Sequence, residues 1–344
     1  MTSVQLTAPV NGDLRVNPPR VSVVIPTFHR DDPLALCLDS LVAGQQRHAT
    51  LVPADGSDAA RVEAIAGAAR QYEVIVTDAG TKSTSAEMVH RRFPWVRWIA
   101  RAGAGPAANR NSGARAARGE WLIFVDDDCV PEPGFVAAIM DCAERVQVDV
   151  IEGRIVVRGK VDSPWRRQPE NPRGGLFWTG NLAIRRETFL RLGGFDEDFV
   201  QACEDMDFGH RIRTGRLRTA FCPEAIVWHP SQRQSFRDLV HRTTLQRWHL
   251  LYRLKSGISA PLGCSRTTAL ADLVWMEFTN RLRTSWHLVS RHDPEQWKSN
   301  LFAQLWSWLT FPVVLPYLML WELRFRTMLR TRSAHAGCAP PEAG

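Results

Sequence analysis

Acidic side chains are the first residues of this sequence whose type and spacing could do chemistry. Asp126, Asp127 and Asp128 follow directly after the apolar run WLIFV at 121–125. Adjacent carboxylates repel one another unless a positive group lies among them. Oxygen ligands suit Mg²⁺ or Mn²⁺, which usually take one or two protein carboxylates and complete their shell with substrate phosphates. The triplet therefore predicts a divalent-cation site, and the competing interpretation is an acidic turn at a strand end.

A second acidic group lies in the run CEDMD at 203–207, just before an apparent helix. Glu204 and Asp205 fall in its first turn, where the helix dipole stabilises carboxylates. That is a structural reason for their presence. The functional alternative is that one of them removes a proton from a hydroxyl group, with Asp207 as a near neighbour that could be confused with them.

Two further positions are candidates for ligand contacts. His229 ends the run AIVWHP at 225–230, and an imidazole can join carboxylates on Mn²⁺, although a lone histidine is more often a hydrogen-bonded structural group. The run WTGN places Trp178 beside Gly180 and Asn181. Glycine permits close approach of a ligand and an aromatic face can stack on a ligand ring, while the alternative is a turn that opens a strand.

Alternating strand and helix signals surround these residues in the first 150 positions. A β-branched strand at 21–25 is followed by a helix from Asp32 to Gly44. Further strands are predicted at 74–76, 96–99 and 121–125, and helices at 106–118 and 134–147. This alternation predicts a doubly wound α/β sheet with ligands at the carboxyl ends of its strands.

The pattern changes after residue 150. Short strands at 150–157, 181–184, 218–222 and 225–228 surround a loop rich in Pro, Arg and Gly at 158–176, which predicts a mixed half. From about Ser235 the chain reads as helical. The expected organisation is a flexible leader at 1–20, a catalytic domain at 21–255 with halves 21–130 and 131–255, a helical extension at 256–332 and a disordered tail at 333–344.

Bulk composition narrows the protein class without deciding it. The chain has 344 residues, 44% of them apolar, and a net charge of +7 that would suit a nucleic acid, an anionic membrane or a phosphorylated small molecule. Its seven cysteines form no CxxC pair, so neither a disulfide framework nor a cysteine zinc site is expected. The N-terminal run has no apolar core of the signal-peptide kind, which predicts a cytoplasmic location.

Three runs carry a resemblance to a known family. They are VSVVIPTFHRDDPLALCLDSL, GPAANRNSGARAARGEWLIFVDDDCVPEPGF and GNLAIRRETFLRLGGFDEDFVQACEDMDFGHRI. In this order they resemble the successive blocks of family 2 glycosyltransferases with the GT-A fold, over about residues 21–255. The resemblance implies an inverting enzyme that uses Mn²⁺ or Mg²⁺ to move a sugar from a UDP-, GDP- or dTDP-sugar to a hydroxyl acceptor, with no nucleic-acid partner.

The resemblance also implies roles for individual residues. Asp205 would be the catalytic base and Glu204 would orient the acceptor. Asp128 and His229 would hold the metal, or the histidine the pyrophosphate, and Asp126 the ribose. The nucleotide sugar would be bound by these residues and the following ones: Pro26, Thr27, Asp78, Arg110, Asp127, Trp178, Gly180 and Asn181. Within this set Asp78 would accept from a base edge, Arg110 would lie near the phosphates, and Asp127 is expected to matter least.

The sequence departs from the family pattern in one stretch and matches a second signature only in part. The stretch 44–72 is longer than usual and contains ADGS at 54–57, so Asp55 competes with Asp78 as the base-reading residue. Arg247-Trp248 is similar to the Gln-x-x-Arg-Trp signature of processive polysaccharide synthases, but Thr244 stands where glutamine is required. A non-processive enzyme is therefore expected.

Residues 299–321 contain no charge and are long enough to span a bilayer. Pro312 and Pro316 argue against a straight span, and the arginines that follow favour the cytoplasmic side. We expect a bent or interfacial helix with aromatic residues at headgroup depth, namely Trp306, Trp308, Tyr317 and Trp321. A buried core helix or a dimer contact is the alternative.

Two other protein classes compete with a glycosyltransferase. A nucleotidyltransferase would share the sheet and the metal carboxylates, but it usually opens with a Gly-rich phosphate loop, and residues 25–30 contain no glycine. A non-catalytic nucleotide- or membrane-binding scaffold would be expected to lack some of the acidic residues, and all are present.

Overall fold

A computed structural model describes residues 19–45, 72–80, 85–100, 104–158, 166–167, 169–233, 235–257, parts of 271–286, and 297–336. Asp55 and residues 1–18 of the predicted leader lie outside the described residues.

The strands of the described residues form a large mixed sheet and a small ribbon. In chain order they are β1 (Val21–Thr27), β2 (Tyr72–Asp78), β3 (Arg97–Ala100), β4 (Trp121–Phe124), β5 (Val130–Pro131), β6 (Val150–Arg158), β7 (Arg166–Arg167), β8 (Leu182–Arg185), β9 (Thr219–Pro230) and β10 (Gln232–Arg233). The large sheet has the spatial order β3-β2-β1-β4-β8-β6-β9-β5, and β7 pairs with β10. Strands β1 to β4 are parallel, whereas β8 runs antiparallel to β4 and β6. The α/β start and the mixed second half are both confirmed.

Helices cover both faces of this sheet. They are α1 (Asp31–Gln45), α2 (Ser85–Arg92), α3 (Gly105–Ala116), α4 (Phe135–Val146), α5 (Arg186–Arg191), α6 (Glu204–Thr214), α7 (Phe236–Ser256) and α8 (Trp297–Ala336). Ser235 begins α7 with a capping box, because its hydroxyl accepts from the Asp238 N–H while the Asp238 carboxylate accepts from the Ser235 N–H. Gly257, at a φ of 63°, ends that helix in the left-handed region.

The core lies on both faces of the central strands. Val23 and Val24 are fully buried in opposite clusters, as the alternation of side chains along a strand requires. One face packs against α1 and α4, and the other against α3 and an aromatic group. That group consists of Phe124, Phe189, Phe195 and Phe208.

Two sequence expectations on element bounds are wrong. The short strands predicted at 218–222 and 225–228 are one strand, β9, which stays paired with β6 through a register shift between Gly153 and Arg154. The predicted disordered tail at 333–344 is helical at its start, because α8 continues to Ala336.

The C-terminal helix α8 packs along α7. Leu318 and Phe325 are buried against Leu250, Trp248 and their neighbours. Pro312 and Pro316 lie inside α8. Among the described residues, each helix is too short or too polar to cross a membrane.

Candidate functional site

A cavity of about 1470 Å³ opens at the carboxyl ends of β1 and β4. Its walls are the strand ends, the turn at 178–180, the segment 200–206 and parts of α7 and α8. Small-molecule pockets usually measure about 300–1,000 Å³, so this cavity has room for more than one ligand group. Most of the predicted site residues line it, at the position expected for a sheet of this topology.

The aspartate triplet is held to β1 by its middle member. The Thr27 hydroxyl donates to Asp127 Oδ2 at 2.7 Å, and Arg30 Nη1 lies 3.2 Å from Asp127 Oδ1 and 2.9 Å from Asp128 Oδ2. Burial raises the pKa of Asp127 to about 6, against the opposing effects of Arg30 and the Thr27 hydrogen bond. Asp127 thus positions the turn, and Arg30 is a contact that sequence reasoning missed.

Asp128 and His229 lie together in the wall of the cavity. His229 Nε2 lies 3.6 Å from Asp128 Oδ1, and His229 Nδ1 lies 2.9 Å from the carbonyl oxygen of Pro230. Because a carbonyl only accepts, this contact places a hydrogen on Nδ1, and Nε2 is the ring nitrogen that faces Asp128. The Cys129 sulfur joins the group, since one ligand atom from each of the three residues lies within 4.8 Å of the others.

Arg110 joins the triplet to the second acidic group. Its Nη2 donates to Asp126 Oδ1 at 2.6 Å and its Nη1 to Glu204 Oε1 at 2.8 Å, with the guanidinium buried. Burial acts to lower the pKa of Arg110, but Asp126 and Glu204 outweigh it and raise that pKa above its ordinary value. The arginine expected near the phosphates is therefore also the link between two carboxylates on different elements.

Glu204 and Asp205 open helix α6 after a strained residue. Cys203 has a φ of 73°, a left-handed conformation that non-glycine residues adopt at some cost. Burial raises the pKa of Glu204 to about 7, with Arg110 opposing and Asp205 adding to the rise. Burial also raises the pKa of Asp205, whose Oδ1 accepts from the Met206 N–H at 2.8 Å. Both groups take up a proton more readily than ordinary carboxyls.

The base-reading candidate Asp78 ends β2 opposite Thr27 in the strand register. It is buried, and its Oδ1 accepts from the Gly80 N–H at 2.7 Å. Pro26, Thr27 and Ala79 line the cavity at this point, and Asp78 is next to Ala79 in the chain. Its contact with a base stays a prediction.

The run 178–181 contributes one wall of the cavity and one structural tie. Trp178 and Gly180 line the cavity, and a Cβ on Gly180 would lie 3.4 Å from Asp126 Oδ2. The Asn181 side-chain amide instead donates to the carbonyl oxygens of Arg154 and Ala225, at 3.0 and 2.9 Å. Asn181 thereby ties β6 to β9, and its predicted contact with the sugar remains a prediction.

Glu152 supports this wall and was not among the site residues predicted from the sequence. Its buried carboxylate accepts from the N–H groups of Gly175, Leu176 and Phe177 at 2.5, 3.1 and 2.5 Å. Three such bonds fix the chain that leads into Trp178. A glutamate in a buried strand was the only available hint.

Arg247 occupies a structural position on α7. It donates to Gln201 Oε1 at 2.9 Å and to the Tyr317 hydroxyl at 3.2 Å, and it lies over the Trp321 ring. These contacts tie the cavity segment at 200–206 to α7 and α8. They give Arg247 a role that does not depend on processive synthesis.

The sequence of this chain is similar to that of a known protein family. The family model described as glycosyl transferase family 2 matches residues 22–216, more than half of the chain. The chain belongs to this family. It is a GT-A glycosyltransferase that uses a nucleotide sugar, and the alternatives of a nucleotidyltransferase and a non-catalytic scaffold are set aside.

Individual relatives are distant. The N-acetylglucosaminyl-diphospho-decaprenol L-rhamnosyltransferase of Mycobacterium tuberculosis (strain H37Rv) is 26% identical over 214 residues, covering 49% of this chain and 70% of that protein. The validoxylamine A glucosyltransferase of Streptomyces hygroscopicus subsp. limoneus is 27% identical over 238 residues, covering 56% of this chain and 48% of that protein. The chain thus spans about half of the second relative.

One solved structure shares the fold over most of its length. It is the mannosyltransferase PcManGT from Pyrobaculum calidifontis in complex with GDP-Man and Mn²⁺, with a TM-score of 0.51 and 18% identity. The match covers 89% of this chain and 87% of that one. At this identity the likeness establishes the GT-A fold alone.

Proposed function

We propose that this protein is a metal-dependent, inverting and non-processive glycosyltransferase. It moves a sugar from a UDP-, GDP- or dTDP-sugar to a hydroxyl acceptor in the synthesis of a glycan, glycolipid or glycoconjugate. One observation carries the proposal: a single cavity is lined both by Asp128 with His229 and by Glu204 with Asp205, and Arg110 bonds the aspartate triplet to Glu204 through Asp126. This arrangement suits a displacement between two bound substrates.

The donor set at Asp128 fits a divalent cation. A carboxylate oxygen and an imidazole nitrogen face each other, and this combination of ligand types suits Mn²⁺ better than Mg²⁺. When bound, such a cation would offset negative charge on the departing diphosphate. The Mn²⁺ in the PcManGT complex supports the same choice of metal.

Asp205 is the proposed base. It accepts the proton of the acceptor hydroxyl as the new oxygen–carbon bond forms at the anomeric carbon and the bond to the diphosphate oxygen breaks, with the electron pair leaving on the diphosphate. A pKa raised by burial suits a base that works near neutral pH. Glu204 is held by Arg110 and orients the acceptor, and one displacement gives inversion.

The donor side uses the strand ends. Pro26, Thr27 and Asp78 hold the nucleoside, Asp126 the ribose, and Trp178 with Gly180 the sugar. We assign the reaction to the cytoplasmic face of a membrane, a reducing environment in which free thiols persist. The described cysteines, which are free and buried, support that assignment: Cys37, Cys129, Cys142, Cys203 and Cys222.

A thermal-shift screen with UDP, GDP and dTDP, with and without Mn²⁺, tests the proposal. We expect at least one diphosphate to stabilise the protein only when the metal is present, and Asp128→Asn to lose that shift. Asp141→Asn, on an exposed part of α4, is the matched control. Mass spectrometry of donor hydrolysis gives the second readout. Equal hydrolysis by the parent and Asp128→Asn, or a shift that ignores the metal, would reject it.

A further inference from the structure

One face of α8 is apolar and exposed to solvent. Helical spacing of 100° per residue places eight exposed residues within an arc of about 120°. They are Leu305, Leu309, Pro312, Val313, Pro316, Met319, Leu320 and Leu323. Leu318 and Phe325, which pack against α7, point to the opposite side of the helix.

This exposed face is too large and too apolar for an ordinary surface. Leu309 and Val313 are 70% and 73% exposed, and the eight residues extend along about 27 Å of helix. No charged residue interrupts the chain between 299 and 321. A helix that is apolar on all sides is normally buried on all sides, and contiguous exposed patches of this kind mark interaction sites.

Charge and aromatic residues at its edges indicate the partner. Arg324 and Arg330 are exposed on the turns that follow the apolar face. The segment 271–286 packs beside α8 through Gln304 and Trp308, and it leaves Trp286 71% exposed. Tryptophan and arginine around an apolar helix face are typical of helices that lie in the interface of an anionic bilayer.

The same helix also lines the cavity. Trp306, Thr310 and Val314, on other faces of α8, are part of the cavity wall. The proposed active site and the apolar face are therefore separated by the thickness of one helix.

We propose that the exposed face of α8 lies in the interface of an anionic bilayer and that the sugar acceptor is carried on a membrane lipid. The first part needs only the apolar face and its arginines. The second part rests on the proposed function, because it places the acceptor hydroxyl beside the cavity wall that α8 forms.

Co-sedimentation of the full chain with vesicles tests the surface. Vesicles of phosphatidylcholine are compared with vesicles that also contain phosphatidylglycerol, for the parent and for Leu309→Glu/Leu320→Glu. We expect the parent to sediment with the anionic vesicles and the variant to bind them at least about tenfold more weakly. Leu36→Glu/Val146→Glu, at exposed leucine and valine positions on α1 and α4, adds the same charge elsewhere and should sediment like the parent.

Donor hydrolysis and the oligomeric state distinguish a failure of the proposed function from a failure of the bilayer assignment. Metal-dependent donor hydrolysis should be equal in all three proteins, because none of the substituted residues lines the described cavity. Loss of hydrolysis in every protein would reject the proposed function while leaving vesicle binding intact. The bilayer assignment would be overturned if the parent and the α8 variant bound vesicles equally well. It would also be overturned if the parent formed a concentration-dependent dimer that only the α8 variant disrupted.

Discussion

The two acidic groups of the cavity share one cation and are otherwise balanced in different ways. Asp126, Asp127 and Asp128 are contacted by Arg110 and Arg30, and His229 Nε2 lies beside Asp128 Oδ1. Glu204 forms an ion pair with Arg110, and burial raises the pKa values of both Glu204 and Asp205. In the proposed mechanism, the first group supplies ligands for a cation and the second group accepts a proton.

The two acidic groups also differ in the element that positions them, which is a strand end for the triplet and a helix N-terminus for the pair. The triplet follows a parallel strand, at the edge of the sheet where the carboxyl ends of several strands lie together. Arginine side chains can reach all three carboxylates there. The pair opens a helix, whose dipole helps to keep it ionised despite burial. Arg110 bonds to Asp126 in the first group and to Glu204 in the second, so its removal should affect both groups.

The largest expected effect is the loss of transfer in Asp205→Asn. An amide cannot take the proton from the acceptor hydroxyl, and removing a general base costs about 10²–10⁴-fold in rate. Sugar transfer, or donor hydrolysis where the acceptor is water, measures it. Metal-dependent stabilisation by the nucleotide should be unchanged, because Asp205 lies in the proton-accepting group. A variant that binds the nucleotide and transfers as fast as the parent would remove Asp205 from the mechanism.

Arg110→Met should cause the next largest effect, on stability. It leaves Asp126 and the buried Glu204 without their shared cation, and breaking a buried ion pair costs about 3–5 kcal/mol. Chemical denaturation measures the free energy of unfolding. Arg115→Met, on the same helix but with a 61% exposed side chain, is the matched control and should change stability little. Similar losses in the two variants would show that Arg110 does not couple the groups.

The sequence predicts the strand ends well and the links between them poorly. The β-branched run at 21–25 and the apolar run at 121–125 indicate buried parallel strands, which is enough to bring Thr27 and the triplet together. The bond from Arg110 to Glu204 joins residues 94 positions apart, and that from Arg30 to Asp128 joins residues 98 apart. Local propensity carries no information about such partners, because each arginine reads equally well as a solvated surface group.

A third and smaller effect should appear in the pH dependence of stability. The carboxyl of Asp127 has a pKa of about 6 in the folded protein against an ordinary 3.8, so the folded state holds its proton to higher pH than the unfolded state does. Its stabilising contribution is therefore present below about pH 4 and is lost as the pH rises through about 6. Asp127→Asn has no such proton to lose. Its free energy of unfolding should therefore rise relative to that of the parent by roughly 1–3 kcal/mol across this pH window.

Thermal unfolding on both sides of that window, with EDTA present, measures the difference. Asp141→Asn on α4 should track the parent at each pH. The Thr27 hydroxyl can still donate to the asparagine oxygen, so the fold should be kept. A difference in stability between Asp127→Asn and the parent that stays constant at all pH values would show that burial does not raise the pKa of this carboxyl.

The smallest expected effect concerns Cys129, whose sulfur lies among the potential ligands Asp128 and His229. A thiolate ligand would favour softer ions than Mg²⁺, and binding would displace the thiol proton. We expect Co²⁺ to give a sulfur-to-metal charge-transfer band in the near ultraviolet with the parent. Cys129→Ser should lose the band and bind Co²⁺ about tenfold more weakly, in line with a change in one ligand or its support.

Cys142→Ser provides the control, because Cys142 is also buried and free but lies on α4. It should keep the band and the affinity of the parent. A band that survives in Cys129→Ser, or that is missing from the parent while Co²⁺ still binds, would restrict the metal site to Asp128 and His229. The cation-binding group would then be defined by a carboxylate and an imidazole, and the buried thiol beneath the triplet would act in packing alone.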